Sequence, residues 1–349
     1  MSKMVRFSDI DGIRDKPESQ TKKTDYESEA GEFRLADAKT RSEKMGDEEF
    51  AAESAGLEVG ALYEKIIGKA LETKNRVLNS EGLSPSPILS DLRHIIDKQL
   101  IDALYEYAMT DEADYDEFVV QNVDVTFAAL KIGVGMDYDN RKLLELGLAA
   151  FFQNVGIYQV PEHILKKEGP LDKPEVEVIQ QHPEVGAKIL SGLGSKYGWL
   201  VDVVLQVHER SDGSGYPKGL KGPEISELAS IIGLMDMYVA MIKKRPHRDR
   251  VLPPNAVKYI VKEAKEQFPP RILKVFLNQI SLFPVNTYVR LNNKSIGRVI
   301  ATDENQPLRP TIMLLYDGLG EKVGRRKSVN LASNPLLYIV DCLDEKGLG

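Results

Sequence analysis

From Leu57 to about residue 281 the chain keeps one hydrophobic period. Leu57, Val59, Leu62, Ile66, Ile67, Ala70 and Leu71 recur at three- and four-residue spacing. After the interruption at Ser84-Pro-Ser-Pro87 the same spacing returns through Ile88, Leu92, Ile95, Ile96, Leu100, Leu104 and Tyr107. Apolar residues so spaced form a stripe on a helix, and the stripe must be buried against a neighbour. The pattern predicts further helices over 115–135, 140–153, 174–191, 196–209, 224–243, 253–266 and 270–281, with short Gly/Pro punctuation between them. After Phe283 the period changes. Residues 287–291, 295–300, 311–316 and 337–340 are short, β-branched and bounded by turn residues, the pattern of strands. The fold class read from the sequence is therefore mainly α, with a small C-terminal β subdomain.

Composition bounds what such a chain can do. Of 349 residues 42% are hydrophobic, enough to fill a core, and 46 Lys+Arg against 53 Asp+Glu give a net charge of −7. That balance argues against a protein that coats a nucleic-acid polymer by charge alone. The single cysteine, Cys342, excludes an internal disulfide framework and most cysteine-rich metal sites. No apolar run approaches the roughly 20 residues of a membrane helix, and the first residues lack the apolar core of a signal peptide, so the expected location is cytoplasmic, without a membrane partner. Residues 1–55 are dense in charge and hydroxyl groups, sustain no period, and are expected to form a disordered tail. The expected division is then this tail, an N-terminal helical region over 56–115, a helical domain over 116–282, and a β subdomain over 283–349.

Common site signatures are missing: there is no GxxxxGK[ST] loop, no HExxH and no GxSxG. Gly133-Val-Gly135 reads as a helix end only. Two stretches stand out, Gln181-His-Pro-Glu-Val-Gly-Ala-Lys-Ile-Leu190 and the segment from Val207 to Pro223. The second ends a helix and opens a long loop in which Gly213, Gly215, Gly219 and Gly222 allow positive φ and close backbone approach. Such a loop suits a phosphate or a partner; the bland alternative is a structural connection. His182, His208 and Asp236 offer imidazoles and a carboxylate of the kind that binds Mn, Fe, Ni or Zn, although a lone His is more often a satisfied core or surface group.

These residues carry a resemblance. The stretch from Phe118 to Arg248 resembles the HD-GYP family, a branch of the HD metal-dependent phosphohydrolases. His208-Glu-Arg-Ser-Asp-Gly-Ser-Gly-Tyr-Pro-Lys-Gly-Leu-Lys-Gly-Pro-Glu-Ile225 is similar to the segment that names the family, and Gln181–Leu190 to a second block. Asp236 and Arg245-Pro-His-Arg248 are similar to its closing block, and the tail from Phe283 to Val340 to a β extension found after such domains. The resemblance implies an HD-type helical domain, two or three Fe/Mn-type ions, and hydrolysis of cyclic di-GMP.

Position by position, the implied ligand set is depleted. Gln121 stands where the family has its first His, with Glu117 a possible ligand four residues earlier. Gln153-Asn154 replaces the His-Asp pair, Ile157 the phosphate-contacting Lys, Val207 one His of a pair, and Val239 an Asp. His182, His208 and Asp236 remain. An Asn amide bridges cations poorly and a Val side chain cannot ligate at all. The expected cofactor is thus none, or a single weakly held divalent ion. Arg245 and Arg248 are the implied phosphate contacts. The loop residues Asp212, Gly213, Gly215, Tyr216, Pro217, Lys218 and Gly219 are complete, and in the family this loop has been linked to GGDEF-domain partners. The expected function is a catalytically degenerate binding or regulatory module in cyclic di-GMP signalling, with Tyr216 exposed for docking; an active or weakly active phosphodiesterase is the alternative.

Overall fold

The computed structural model describes residues 47–110, 115–243, 250–280, 282–302, 306 and 308–343. The chain divides into two units, residues 1–62 and 63–349, and the sites described below lie in the second. The described helices are α1 (Asp47–Leu78), α2 (Ser86–Asp97), α3 (Ile101–Thr110), α4 (Glu117–Gly135), α5 (Asn140–Phe152), a short α6 (Glu162–Leu165), α7 (Lys173–Gln180), α8 (His182–Ser191), α9 (Gly198–Gln206), α10 (Glu227–Ile242), α11 (Pro253–Glu263) and α12 (Pro270–Gln279).

Three boundaries differ from the sequence expectation, two of them for a local reason. Helix α1 begins at Asp47, so the expected tail is helical over its last residues. The rest of the expected tail lies outside the described residues. The run from Ile88 to Tyr107 divides into α2 and α3 at Gln99, which has φ 56° and cannot continue a helix. The predicted helix over 174–191 divides at Gln181, where Pro183 enters the first turn of α8; proline lacks the N–H that a continuing helix would need.

Helix α4 is the axis of the domain. Asp116 caps it, its carboxylate accepting from the Phe118 and Val119 amides. Val123, Val125, Phe127, Leu130 and Ile132 are fully buried, and α4 packs against α3, α5, α10 and α12. Burying each such side chain is worth about 1.5–3 kcal/mol. Its 19 residues are long and apolar enough to cross a membrane, which corrects the expectation that no run approaches that length; here most of them are buried inside the protein. A central helix is apolar all round for the same reason a spanning helix is, since it meets no water.

Helix α4 also buries polar residues, and among them the charged Asp124 has no exposed surface. It accepts a hydrogen bond from the Tyr63 hydroxyl at 2.8 Å and faces the Lys243 ammonium at 3.0 Å. Lys243 follows α10 directly, so the pair fastens the end of α10 to the middle of α4.

The C-terminal part forms an antiparallel sheet of β1 (Tyr288–Leu291), β2 (Ile296–Ala301), β3 (Thr311–Tyr316), β4 (Lys322–Asn330) and β5 (Ile339–Leu343), in the order β4-β3-β2-β1-β5. Val289, Leu291, Val299, Ile312 and Leu331 make its core with Phe283. Four strands lie within a few residues of the expected positions. The sequence reading missed β4, whose residues Lys-Val-Gly-Arg-Arg-Lys-Ser-Val-Asn are mostly polar; it is an edge strand, and edges are commonly blunted with charge.

Removing one partner of a buried ion pair leaves the other uncompensated. Asp124→Ala should therefore lower unfolding free energy by about 3 kcal/mol in urea denaturation, while Asp124→Asn, which can still accept from Tyr63, should lose less. An unchanged midpoint for Asp124→Ala would show that the pair has no net stabilising role.

Candidate functional site

Five chain segments deliver polar side chains to one buried centre. Gln121 projects from α4, and Gln153 and Asn154 follow the end of α5. His182 opens α8, His208 lies just beyond α9, and Asp236 sits within α10. Gln153, Asn154, His182, His208 and Asp236 are all buried. Glycines bring the segments this close. A Cβ on Gly156 would lie 2.0 Å from the His182 carbonyl oxygen, and one on Gly233 would lie 2.3 Å from that of Val207. Only glycine permits these two crossings.

The hydrogen bonds fix the direction of every dipole. Asp236 Oδ1 accepts from Gln121 Nε2 at 2.6 Å, from Gln153 Nε2 at 3.2 Å and from Asn154 Nδ2 at 3.4 Å. Turning any of these amides over would set oxygen against oxygen. His182 Nδ1 lies 2.7 Å from the Ile179 carbonyl, which can only accept, so Nδ1 carries the proton and Nε2 the lone pair. His182 Nε2 meets His208 Nε2 at 2.9 Å, so His208 must donate there. The same His208 Nε2–H faces Asn154 Oδ1 at 3.4 Å, which agrees with the amide orientation set by Asp236. Gln153 Oε1 is buried without a hydrogen-bond partner.

Burial pushes the His182 imidazole below its ordinary pKa. It pushes His208 well below, with the His182 and Arg210 charges acting the same way. Both rings are neutral at neutral pH.

The donor set does not fit a two-metal centre. Such a centre needs ions about 3.5–4 Å apart, held by carboxylates and imidazole lone pairs. Here the inward nitrogen of His208 is protonated, the His182 lone pair accepts from it, and amide N–H groups occupy Asp236 Oδ1. Among the described residues no group of three His, Cys, Asp or Glu side chains converges. Glu117 is the first residue of α4, one turn before Gln121. Val207 and Val239 are fully buried, and Ile157 is buried, where the resemblance implied polar or charged groups. Arg245 and Arg248 lie outside the described residues.

The glycine-rich loop closes over this centre. Glu209, 2% exposed, accepts from the Lys218 amide at 2.7 Å and the Leu220 amide at 2.9 Å, one on each carboxylate oxygen. The Asp212 carboxylate accepts from the Ser214 amide and hydroxyl at 2.9 and 2.6 Å, and the Asp212 backbone pairs with that of Lys221 in an isolated antiparallel β-bridge. Gly213, Gly219 and Gly222 have positive φ, and a Cβ on Gly215 would lie 2.5 Å from the His208 carbonyl oxygen. The Tyr216 ring lies parallel to His208 at 5.0 Å and edge-on to His182 at 6.3 Å. This corrects the expectation of an exposed Tyr216: the ring is half-buried and covers the histidine pair. Pro217 and Gly219 are likewise half-buried, whereas Asp212 and Lys218 are exposed. The sequence reading also missed Glu209 and Arg210. The Arg210 guanidinium donates to the Val207 and Glu209 carbonyls and lies 5.0 Å from the Phe268 ring. Their position inside the loop motif was the available signal, but nothing in the spacing says that an acid there accepts backbone amides.

Residues 104–272 match the HD domain family, and residues 288–349 match a KOW domain associated with HD domain. A cyclic di-GMP phosphodiesterase of Borreliella burgdorferi is 29% identical over 62% of this chain and 57% of its own. One of Pseudomonas aeruginosa is 30% identical over 58% of this chain and 49% of its own. Residues 104–272 are an HD domain whose relatives are cyclic di-GMP phosphodiesterases of the HD-GYP type. A 3'3'-cGAMP-specific phosphodiesterase of Vibrio cholerae is 28% identical over 65% of this chain and 48% of its own. The chain thus spans about half the length of these curated relatives. HD phosphohydrolases generally use divalent metals.

Two outcomes follow for this HD-GYP site. Because both histidines have native pKa values below the unfolded value of about 6.5, the unfolded chain binds more protons below that pH. Stability should hold above about pH 6.5 and fall as pH drops toward the native values, by up to about 1.4 kcal/mol per pH unit per histidine. Urea melts at a series of pH values should show this slope, and His208→Gln should make it shallower. Glu209→Ala removes the acceptor of two loop amides. Hydrogen exchange at Lys218 and Leu220 should then accelerate at least tenfold, with about 1–3 kcal/mol of stability lost for the stranded groups.

Proposed function

We propose that this chain is a non-hydrolytic HD-GYP protein that acts as a binding or regulatory module in cyclic di-GMP signalling. One observation carries the reading: the Asp236 carboxylate is neutralised by amide N–H groups from Gln121, Gln153 and Asn154, where hydrolysis would require cations. The N–H dipoles point their positive ends at the carboxylate and stabilise its charge without a metal. They provide no Lewis acid of the kind that lowers the pKa of a bound water. The names of the relatives support a cyclic dinucleotide as the ligand class. The exposed loop residues Asp212 and Lys218 are what the site offers to a signalling protein, a GGDEF-domain protein among the candidates.

The phosphodiesterase reading rests on those same names, and one experiment separates the two. Purified protein supplied with Mn(II) or Fe(II) should release no pGpG or GMP from cyclic di-GMP above background. Losing a single positioned electrostatic group costs roughly 10²–10³ in rate, and here four positions are altered together. The variant Gln121→His, Gln153→His, Asn154→Asp, Val207→His restores the donors and should bind metal, measured by elemental analysis. Metal-dependent turnover by the unaltered chain, abolished in His208→Ala, would overturn the proposal. Calorimetry with cyclic di-GMP tests the binding part separately: heat without turnover supports it, and silence at high micromolar protein counts against it.

A further inference from the structure

A second feature lies away from the buried centre. Residues of α2, α5 and the start of α9 surround an open hollow of about 410 Å³. Its floor is apolar, built from Leu144 and Leu148 on α5 with Leu89 on α2. Its wall is Tyr197 and Trp199, the one tryptophan of the chain, both half-buried. Arg93, Arg141 and Lys196 stand at the rim, all exposed. The rim carries one acid, Glu145, which pairs with Arg141 at 3.2 Å. Lys196 Nζ lies 5.6 Å from the Tyr197 ring. An excess of two positive charges therefore borders an apolar, aromatic-walled hollow in a chain whose net charge is −7.

We propose that this hollow is a docking site for a partner protein presenting an acidic segment with an apolar anchor. The charge excess selects the sign of the partner. A segment bearing carboxylates gains from three rim cations, and its Leu, Phe or Trp fills a hollow too apolar to satisfy a charged or strongly polar group. Trp, Tyr and Arg are the residue types that dominate interface energetics, and Tyr197, Trp199, Arg93 and Arg141 are together here. The place in the fold links the surface to the centre. Helix α5 runs from the hollow into Gln153 and Asn154, and α9 runs from Trp199 into Val207 and His208. Two of the three helices that border the hollow thus end at the buried network.

The test uses the full chain and a random peptide display library, selected on the unaltered protein and counter-selected on a Trp199→Ala, Arg141→Glu variant. Recovered peptides should carry one large apolar residue flanked by Asp or Glu. Their affinity, measured by fluorescence anisotropy, should fall about 30-fold in Trp199→Ala, the loss typical of an interface anchor. It should fall at least tenfold in Arg141→Glu and weaken with added salt. Arg141 is 88% exposed, so that charge reversal reads the surface without disturbing the core. Failure to recover any peptide dependent on these residues, or recovery of peptides without an acidic excess, would overturn the proposal. So would displacement of the peptides by a millimolar nucleotide, which would make the hollow a small-molecule site. None of these readouts depends on cyclic di-GMP binding or hydrolysis.

Discussion

A buried carboxylate must be stabilised by its partners, and the bonds that Asp236 accepts organise the centre of this domain. An isolated ionised carboxylate in an apolar interior is untenable without a partner, because the lost hydration far exceeds any packing gain. HD phosphohydrolases answer with cations. Here the answer is three amide N–H groups, drawn from α4 and from the residues after α5, so the same bonds that satisfy the charge also hold those segments to α10. The Ile179 carbonyl sets the lone pair of His182, and that lone pair, with Asn154 Oδ1, sets the proton on His208. These bonds join six side chains in one network. A cation entering this centre would have to reverse the amides and remove a proton from His208 at the same time. Partly satisfied networks are costly, so intermediate arrangements are disfavoured.

That coupling also explains the shape of the loop above the centre. Glu209 receives two loop amides, Arg210 binds the carbonyls beneath, Gly215 lies against the His208 backbone, and Tyr216 stacks on the His208 ring. None of these contacts needs a metal. The loop motif can therefore be complete in a chain whose ligands are not, because the motif is largely a set of instructions for folding the loop onto the histidine pair. Its presence says little by itself about catalysis. It also says less than expected about docking, since the aromatic residue is turned inward.

How much was legible in the sequence follows from which forces act locally. The helices of the domain could be read because apolar stripes record burial directly, and the substitutions at Gln121, Gln153, Asn154 and Val207 could be read because they change chemistry at positions fixed by the motif. Strand β4 could not be read: an edge strand is held by backbone hydrogen bonds to β3, and its polar side chains leave no periodic trace. The division of α7 from α8 turned on one proline, which ends a helix only where its ring or missing N–H matters. The orientation of Tyr216 was hidden for a different reason. Whether an aromatic residue faces water or a neighbouring ring depends on contacts with residues distant in sequence, here His182 and His208.

The amides themselves show the deeper limit. From sequence, Gln121, Gln153 and Asn154 read as poor ligands, a statement of what they fail to do. In the fold they are good donors, and each supplies an N–H to the carboxylate that metal ligation would otherwise claim. A centre that had merely lost ligands would leave Asp236 buried and unpartnered, at a cost of several kcal/mol. Here three amide N–H groups meet that carboxylate, so its burial is compensated by hydrogen bonds. The remaining acceptor, Gln153 Oε1, is buried with no hydrogen-bond partner. That orphaned acceptor is where the hydrogen bonding of the centre is incomplete.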